Sequence, residues 1–154
     1  MIATVTKNIL LVEDEFIISL NQKRELESKG YKVTILNSAK DVLNSVLVNN
    51  DNYDLILMDI DLGSDTDGTD VASEILSKKH IPILFLSSHI EEDVVSKTET
   101  ITSYGYVVKN SGIKVLDASI KMAFKLYESN KLIHFKKDYL EAVLNSIGDG
   151  IPNS

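Results

Sequence analysis

The sequence predicts an α/β fold in which helices cover both faces of a parallel sheet. Apolar runs of strand length alternate with segments of helical periodicity, five times in succession. Such alternation is typical of parallel sheets, and right-handed crossovers place the carboxyl ends of all strands at one edge. The third run begins at Asp54 and ends abruptly on Asp59, as expected for a strand buried on both faces.

The predicted strands are defined by apolar runs, and each is followed by polar residues. They cover residues 7–12, 31–36, 54–59, 80–86 and 103–108. Between them, Gly30 is expected to end the first helix, and Ser38 to cap the second. Further helices are predicted over residues 69–77 and 91–98. Residues 113–147 are expected to form one long helix or two in series.

The chain is long enough for one domain with a hydrophobic core and an additional segment. The chain has 154 residues, of which 44% are hydrophobic and 25% charged, and its net charge is -7. A charge of this sign argues against a broad nucleic-acid-binding surface. The chain has no cysteine, which excludes disulfides and thiolate metal sites. Neither a signal pattern nor an apolar run of membrane-spanning length occurs, so we expect a cytoplasmic segment.

Three carboxylates, a hydroxyl and an amine follow different predicted strands and should meet at one edge of the sheet. They belong to Glu13, Asp14, Asp59, Ser87 and Lys109. Crowded carboxylates repel one another unless a cation neutralises them. Oxygen ligands favour Mg²⁺, although calcium or manganese would also fit. A carboxylate beside such an ion can attack a phosphoryl group, while an ammonium and a hydroxyl hold its oxygens.

Each of these residues also has a simpler interpretation. Asp59 could begin a turn, Ser87 could cap a helix and Lys109 could lie on the surface. The pair Glu13 and Asp14 could be a solvated helix start. The joint placement after four strands favours the functional interpretation.

The sequence resembles the receiver domain of bacterial two-component response regulators over roughly residues 6–128. The matching motifs are Leu10-Leu11-Val12-Glu13-Asp14-Glu15, Leu55-Ile56-Leu57-Met58-Asp59-Ile60, Asp67-Gly68, Leu84-Phe85-Leu86-Ser87-Ser88 and Gly105-Tyr106-Val107-Val108-Lys109. The resemblance implies a flavodoxin-like (βα)₅ doubly wound sheet with strand order 2-1-3-4-5. It also implies a signalling receiver rather than an enzyme, with self-catalysed phosphotransfer and slow autodephosphorylation.

The resemblance assigns a function to each site residue. Asp59 would accept phosphate from the phosphohistidine of a histidine kinase or phosphotransfer protein. Mg²⁺ would be bound by three carboxylates and one backbone carbonyl, those of Glu13, Asp14, Asp59 and Ile60. Ser87 and Lys109 would hold the phosphoryl oxygens.

Tyr106 matches the family's switch aromatic. It would rotate inward when Ser87 moves toward the phosphate, changing the face formed by the fourth helix, fifth strand and fifth helix. The alternative is an edge-strand tyrosine with its hydroxyl in water.

Three positions near the site lie outside the shared motifs. Asn110 follows Lys109 where the family usually has proline, which puts the family's cis peptide in doubt. Asp61 and His89 occupy the positions that tune dephosphorylation in the family. His89 could instead be an ordinary loop histidine.

The C-terminal third is expected to extend beyond the receiver domain, which covers residues 1–128. Residues 129–147 are predicted to be a linker or signalling helix, whose apolar residues would pair with a second copy in a coiled-coil-like homodimer. Packing back onto the receiver is the alternative. Residues 148–154 complete a Ser-Ile-x-Asp-Gly-Ile pattern that resembles the start of a PAS domain, so a longer receiver–PAS–histidine kinase protein is expected.

Two rival interpretations use the same acidic residues. Asp59 and Asp61 also resemble the nucleophile and general acid of haloacid-dehalogenase-type phosphatases. In the sequences of that family the metal-binding acids come after the lysine of the site, whereas here Glu13 and Asp14 come before Lys109. An EF-hand over residues 63–74 is discounted because Gly63 cannot coordinate calcium through a side chain.

Overall fold

A computed structural model describes residues 5–63, 66–88, 96 and 104–150, without the side chains of residues 134, 135 and 148–150. In this part of the chain, five parallel strands form one sheet in the order β2-β1-β3-β4-β5. The strands are β1 (Asn8–Val12), β2 (Lys32–Leu36), β3 (Leu55–Asp59), β4 (Ile83–Ser87) and β5 (Tyr106–Val108). The predicted fold class and strand order are confirmed.

The central strands are apolar because both faces of the sheet are covered. All residues of β3 and β4 are buried, including the polar residues that end them, Asp59 and Ser87. Alternate side chains of the strands enter two separate clusters, one on each face. This two-sided core explains why the strands read as continuous apolar runs rather than as alternating patterns.

The helices begin and end close to the predicted positions. They are α1 (Phe16–Ser28), α2 (Ala39–Leu43), α3 (Gly68–Leu76) and the C-terminal helix (Ile113–Gly150). Ser38 caps α2 by accepting the Asp41 N–H at 3.2 Å, and Gly30 follows α1 with a φ of 94°. The predicted helix over residues 91–98 lies outside the described residues, apart from Ser96.

Some boundaries differ from the predicted ones. Strands β4 and β5 begin at Ile83 and Tyr106, later than expected. The second predicted helix changes after Leu43 into a π-helical turn, Asn44–Val48. The apolar spacing of residues 42–47 predicts a helix, but it does not distinguish an α-helical turn from a π-helical one.

The C-terminal helix packs on one face of the sheet through its first turns. Leu116, Ile120 and Ala123 are buried there, with Ile113 and Phe124 at the margin. The first turns of this helix therefore cover part of one face of the sheet. The Tyr31 hydroxyl also donates to Asp117 Oδ1 at 2.6 Å, and Lys121 pairs with the same carboxylate at 3.1 Å.

The same helix continues without a break beyond the sheet. Tyr127 stacks on His80 with ring centroids 5.2 Å apart, and all described side chains from residue 131 to residue 147 are exposed. Packing of this segment back onto the receiver is therefore not what the structure shows. The backbone stays helical through Gly150, so the expected turn at residues 146–151 is helical up to that point.

Among the described residues, none of the helices is both long enough and apolar enough to cross a bilayer.

Candidate functional site

The carboxyl ends of the strands bring the predicted site residues to one edge of the sheet. The register pairs Val12 with Met58, Asp59 with Leu86, and Ser87 with Val108. Glu13 directly follows β1 and is level with Asp59, whereas Lys109 lies two residues beyond Val107, the β5 residue in line with Asp59. Parallel strands in this register end together, which explains how residues almost 100 positions apart share one site.

Lys109 lies between two buried carboxylates. Its Nζ is 2.8 Å from Asp59 Oδ2 and 3.0 Å from Glu13 Oε2. The Glu13 and Asp59 residues are 0% and 2% exposed. Buried carboxylates of this kind need a cation nearby, and the Lys109 ammonium supplies one positive charge to two potential negative charges. The site therefore has an excess of negative charge that a metal ion would neutralise.

The pKa values of Glu13, Asp59 and Lys109 are all shifted from their ordinary values. Burial raises the pKa of Glu13 to about 7, even though the hydrogen bond from Lys109 acts in the opposite direction. Burial also raises the pKa of Asp59, again against the effect of Lys109. Burial alone would lower the pKa of Lys109, but hydrogen bonds to both carboxylates outweigh it, so its pKa is raised. Lys109 stays an ammonium at neutral pH.

Three carboxylates are close enough to bind one metal ion. Glu13, Asp14 and Asp59 each offer an oxygen, and these atoms lie within 4.8 Å of one another. Asp14 is exposed, whereas the other two are buried. Glu13 Oε2 is buried, and among the described residues its close polar contact is with Lys109 Nζ at 3.0 Å. An all-oxygen set of this kind fits a hard divalent cation such as Mg²⁺.

The loop between β3 and α3 holds the Asp59 carboxylate in place. The Asp61 N–H donates to Asp59 Oδ1 at 3.1 Å, and the Asp61 carboxylate accepts the Gly63 N–H at 3.1 Å. Asp61 is exposed and lines the cleft above the site. The predicted proximity of Asp61 to the site is therefore present in the structure.

Gly68 is a positioning residue, and its place in the Asp67-Gly68 motif has a steric reason. A Cβ at this position would lie 2.0 Å from the backbone oxygen of Asp59. The Gly68 N–H donates to the Ile60 carbonyl at 2.7 Å. The first turn of α3 therefore lies directly against the backbone that carries Asp59. The glycine in the sequence signals this close approach, but only the structure identifies its neighbour.

The same hydrogen bond involves the predicted fourth metal ligand. The Ile60 carbonyl oxygen accepts the Gly68 N–H with one lone pair and keeps a second one, so its use by the metal stays a prediction. Gly63 is a further close neighbour of the site, because a Cβ there would lie 2.9 Å from Asp14 Oδ2.

The remaining predicted residues differ in how fully the structure describes them. Ser87 ends β4 and is buried. Tyr106 begins β5, is partly buried and packs against one core cluster. His89 lies outside the described residues. The described peptide bonds are all trans, including the one between Lys109 and Asn110, and Asn110 has a φ of 70°.

A cleft of about 570 Å³ opens above the carboxylates. Its walls come from α1, from the loops after β3 and β4, and from the loop after β5. Asp14, Asp59 and Lys109 all contribute to its lining. A phosphoryl group could enter here and meet the Asp59 carboxylate directly.

Comparison with known proteins gives a consistent result. The response regulator receiver domain family matches residues 9–121. Transcriptional regulatory protein PdtaR of Mycobacterium tuberculosis is 33% identical over 122 residues, which are 79% of this chain and 58% of that protein. The chain thus spans little more than half the length of this curated relative.

Two solved structures are similar over most of the chain. One is the N-terminal domain of a response regulator/sensory box/GGDEF 3-domain protein from Carboxydothermus hydrogenoformans, with 38% identity and a TM-score of 0.72, covering 80% of this chain and 98% of that one. The other is a fusion that contains amino acids 181–211 of the yeast Spc42 trimeric coiled coil, with 34% identity and a TM-score of 0.78, covering 95% and 99%.

The fold and the acidic edge of the sheet thus define an α/β signalling module. The chain belongs to the response regulator receiver domain family. Residues 9–121 form a signalling receiver of the two-component type rather than a classical enzyme. The alternative interpretation as a haloacid-dehalogenase-type phosphatase finds no support in these comparisons.

Proposed function

We propose that Asp59 is the phosphoacceptor of this receiver. The observation that carries the proposal is the contact of Asp59 Oδ2 with Lys109 Nζ at 2.8 Å, beside Glu13 and below an open cleft. An Asp59 oxygen attacks the phosphorus of a phosphohistidine. The new O–P bond forms as the P–N bond breaks, and the electron pair of that bond stays on the imidazole nitrogen.

The residues around Asp59 supply charge and orientation for this transfer. Lys109 faces the position where negative charge develops on the phosphoryl oxygens. Glu13, Asp14 and Asp59 would hold Mg²⁺, which neutralises charge on the phosphoryl group when bound. Ser87 would donate to a phosphoryl oxygen, and Tyr106 would respond by moving inward. Asp61, together with His89, would set the lifetime of the acyl phosphate through self-catalysed hydrolysis.

Intact-mass spectrometry after incubation with acetyl phosphate tests this proposal. We expect one added phosphate with Mg²⁺ and little with EDTA. Asp59→Asn removes the nucleophile and should abolish the addition. Asp61→Asn makes the same chemical change two residues away and should still accept one phosphate at early times. Equal labelling of wild type and Asp59→Asn would contradict the assignment.

We also propose that the chain forms a homodimer through the C-terminal helix and functions in the cytoplasm. The support for pairing is the exposed apolar surface beyond the sheet, including Leu132, Ile133 and Leu140, which are 54%, 61% and 59% exposed. Sedimentation velocity of the intact chain tests this pairing, and a monomer at all concentrations examined would contradict it.

A further inference from the structure

The C-terminal helix leaves the sheet as a long arm with an apolar side. From residue 128 to residue 150 it extends about 34 Å, at about 1.5 Å per residue. Helices in water gain most of their stability from packing an apolar face, and the described side chains of residues 131–147 are all exposed. A partner surface is therefore needed for this segment.

The apolar side follows a seven-residue repeat. The first row contains one apolar residue every seven positions: Leu126, Ile133, Leu140 and Ile147. A second row lies four residues before each member of the first: Met122, Ser129, Lys136 and Val143. Large apolar members of both rows are exposed, from 36% for Val143 to 61% for Ile133. Two rows spaced alternately by three and four residues form the contact stripe of a left-handed coiled coil, and we call these two rows the seam.

We propose that two copies of this chain pair along these two rows as a parallel, in-register, two-stranded coiled coil. This inference rests on the homodimer proposed above and specifies its interface and orientation. The first row takes the a positions of the heptad, and the second row takes the d positions.

The distribution of polar residues explains why the two copies run parallel. In a parallel pair each layer meets its own counterpart, so Ser129 meets Ser129 and apolar layers meet apolar layers. In an antiparallel pair, a positions face d positions. As long as both rows stay in the seam, Ser129 and Lys136 would then face apolar residues of the first row, whatever the register. Lys136 can extend its ammonium to solvent in the parallel arrangement, at some cost to affinity.

The receiver fixes the direction of the arm. Tyr127 stacks on His80 at the point where the helix leaves the sheet, and its hydroxyl is 3.4 Å from the His80 carbonyl oxygen. The seam begins before this anchor, since Met122 is 57% exposed although neighbouring Ala123 is buried in the core. The seam is thus continuous from the receiver into the arm, and pairing holds the two receivers at the same end.

Substitutions in and out of the seam test its position in the intact chain. Lys136→Leu should lower the dimer dissociation constant by about tenfold or more, because it replaces a charged d residue with an apolar one. Lys131→Leu makes the same change on the opposite side of the helix and should have little effect. Ile133→Asp should abolish dimers. All three residues lie outside the core, so circular dichroism should show a folded receiver in each variant.

Cysteine cross-linking tests the orientation, because the chain has no cysteine of its own. Single variants Leu126→Cys and Ile147→Cys should each form disulfide-linked dimers on oxidation, since each residue meets its own counterpart. Asn145→Cys, outside the seam, should not. Lack of cross-linking at residues 126 and 147 would overturn the parallel register.

The outcomes separate the two proposals. A monomeric wild type would contradict the homodimer and the seam together. A wild-type dimer that Ile133→Asp and Lys136→Leu leave unchanged would keep the homodimer and overturn the seam. A trimer would overturn the two-stranded arrangement. Neither experiment depends on phosphorylation of Asp59.

Discussion

Two adjacent acids show how residue environments can diverge at one strand end. Glu13 is buried beside Lys109, whereas Asp14 is exposed at the cleft. The sequence predicts that both acids follow a strand, but it does not show which of the two side chains is buried. That difference depends on packing by α1 and by the loop after β2, where Asn37 donates to the Glu13 carbonyl.

The burial of Glu13 predicts a pH-dependent stability in the metal-free protein. Its pKa is raised from 4.5 to about 7, so the folded state binds this proton more tightly than the unfolded state. The contribution of this raised pKa to the stability of the fold is complete below about pH 4.5 and is lost as the pH rises through about 7. We expect urea unfolding with EDTA to give a free energy about 2–3 kcal/mol lower at pH 8 than at pH 5.

Glu13→Gln is the matched variant for this titration, because its amide keeps the shape and cannot ionise. Its free energy of unfolding should depend much less on pH, and Mg²⁺ should stabilise the wild type at pH 8 more than the variant. A pH slope that persists unchanged in Glu13→Gln would show that other groups cause it.

At the scale of elements, the first turn of α3 positions the phosphoacceptor strand. Asp67 caps α3 by accepting the Thr69 N–H at 2.8 Å, and Gly68 lies against the Asp59 backbone. The Asp67-Gly68 motif signals a helix start. Its contact with β3 could not be predicted, because it depends on how the intervening loop folds back.

Gly68→Ala should therefore disturb the geometry of the site although it changes none of the reacting groups. The new methyl would lie 2.0 Å from the Asp59 oxygen, so the backbone must shift. We expect a stability loss of about 1–3 kcal/mol by chemical denaturation and slower labelling by acetyl phosphate. Asp70→Ala in the same turn is exposed and should change neither quantity strongly. Unaltered labelling in Gly68→Ala would rule out a positioning effect.

A second contact between elements links the start of β2 to the C-terminal helix. Tyr31 donates to Asp117, and Lys121 pairs with the same carboxylate. Burial acts to raise the pKa of Asp117, but these two contacts outweigh it and lower the pKa. Tyr31→Phe should cost about 1.5–3 kcal/mol at pH 7.

The cost of Tyr31→Phe should shrink in acid. A lowered carboxyl pKa contributes stability above its unfolded value, and that contribution is lost as the pH falls through the folded value. Thermal unfolding between pH 3 and pH 7 measures the difference. Tyr139→Phe, on the exposed arm, serves as the control and should be neutral at every pH. An equal cost of Tyr31→Phe across this range would argue against a charged acceptor.

At the scale of the whole molecule, periodicity predicts a parallel sheet and the joint position of the strand ends, whereas the strand order follows from the resemblance to receiver domains. It places Asp59, Glu13 and Lys109 together because parallel strands end at one edge. It also predicts the continuous C-terminal helix as one of two possibilities. Periodicity does not predict the π-helical turn after Leu43, whose extra residue per turn leaves no signature in the apolar spacing.

The identity of the phosphorylated residue is the central claim, and chemical trapping tests it most directly. Borohydride reduces an acyl phosphate of aspartate to homoserine, which peptide sequencing by mass spectrometry can locate. After labelling with acetyl phosphate and Mg²⁺, we expect homoserine at position 59 and at no other acidic position. Homoserine at Asp14 or Asp61, with Asp59 unmodified, would contradict the account.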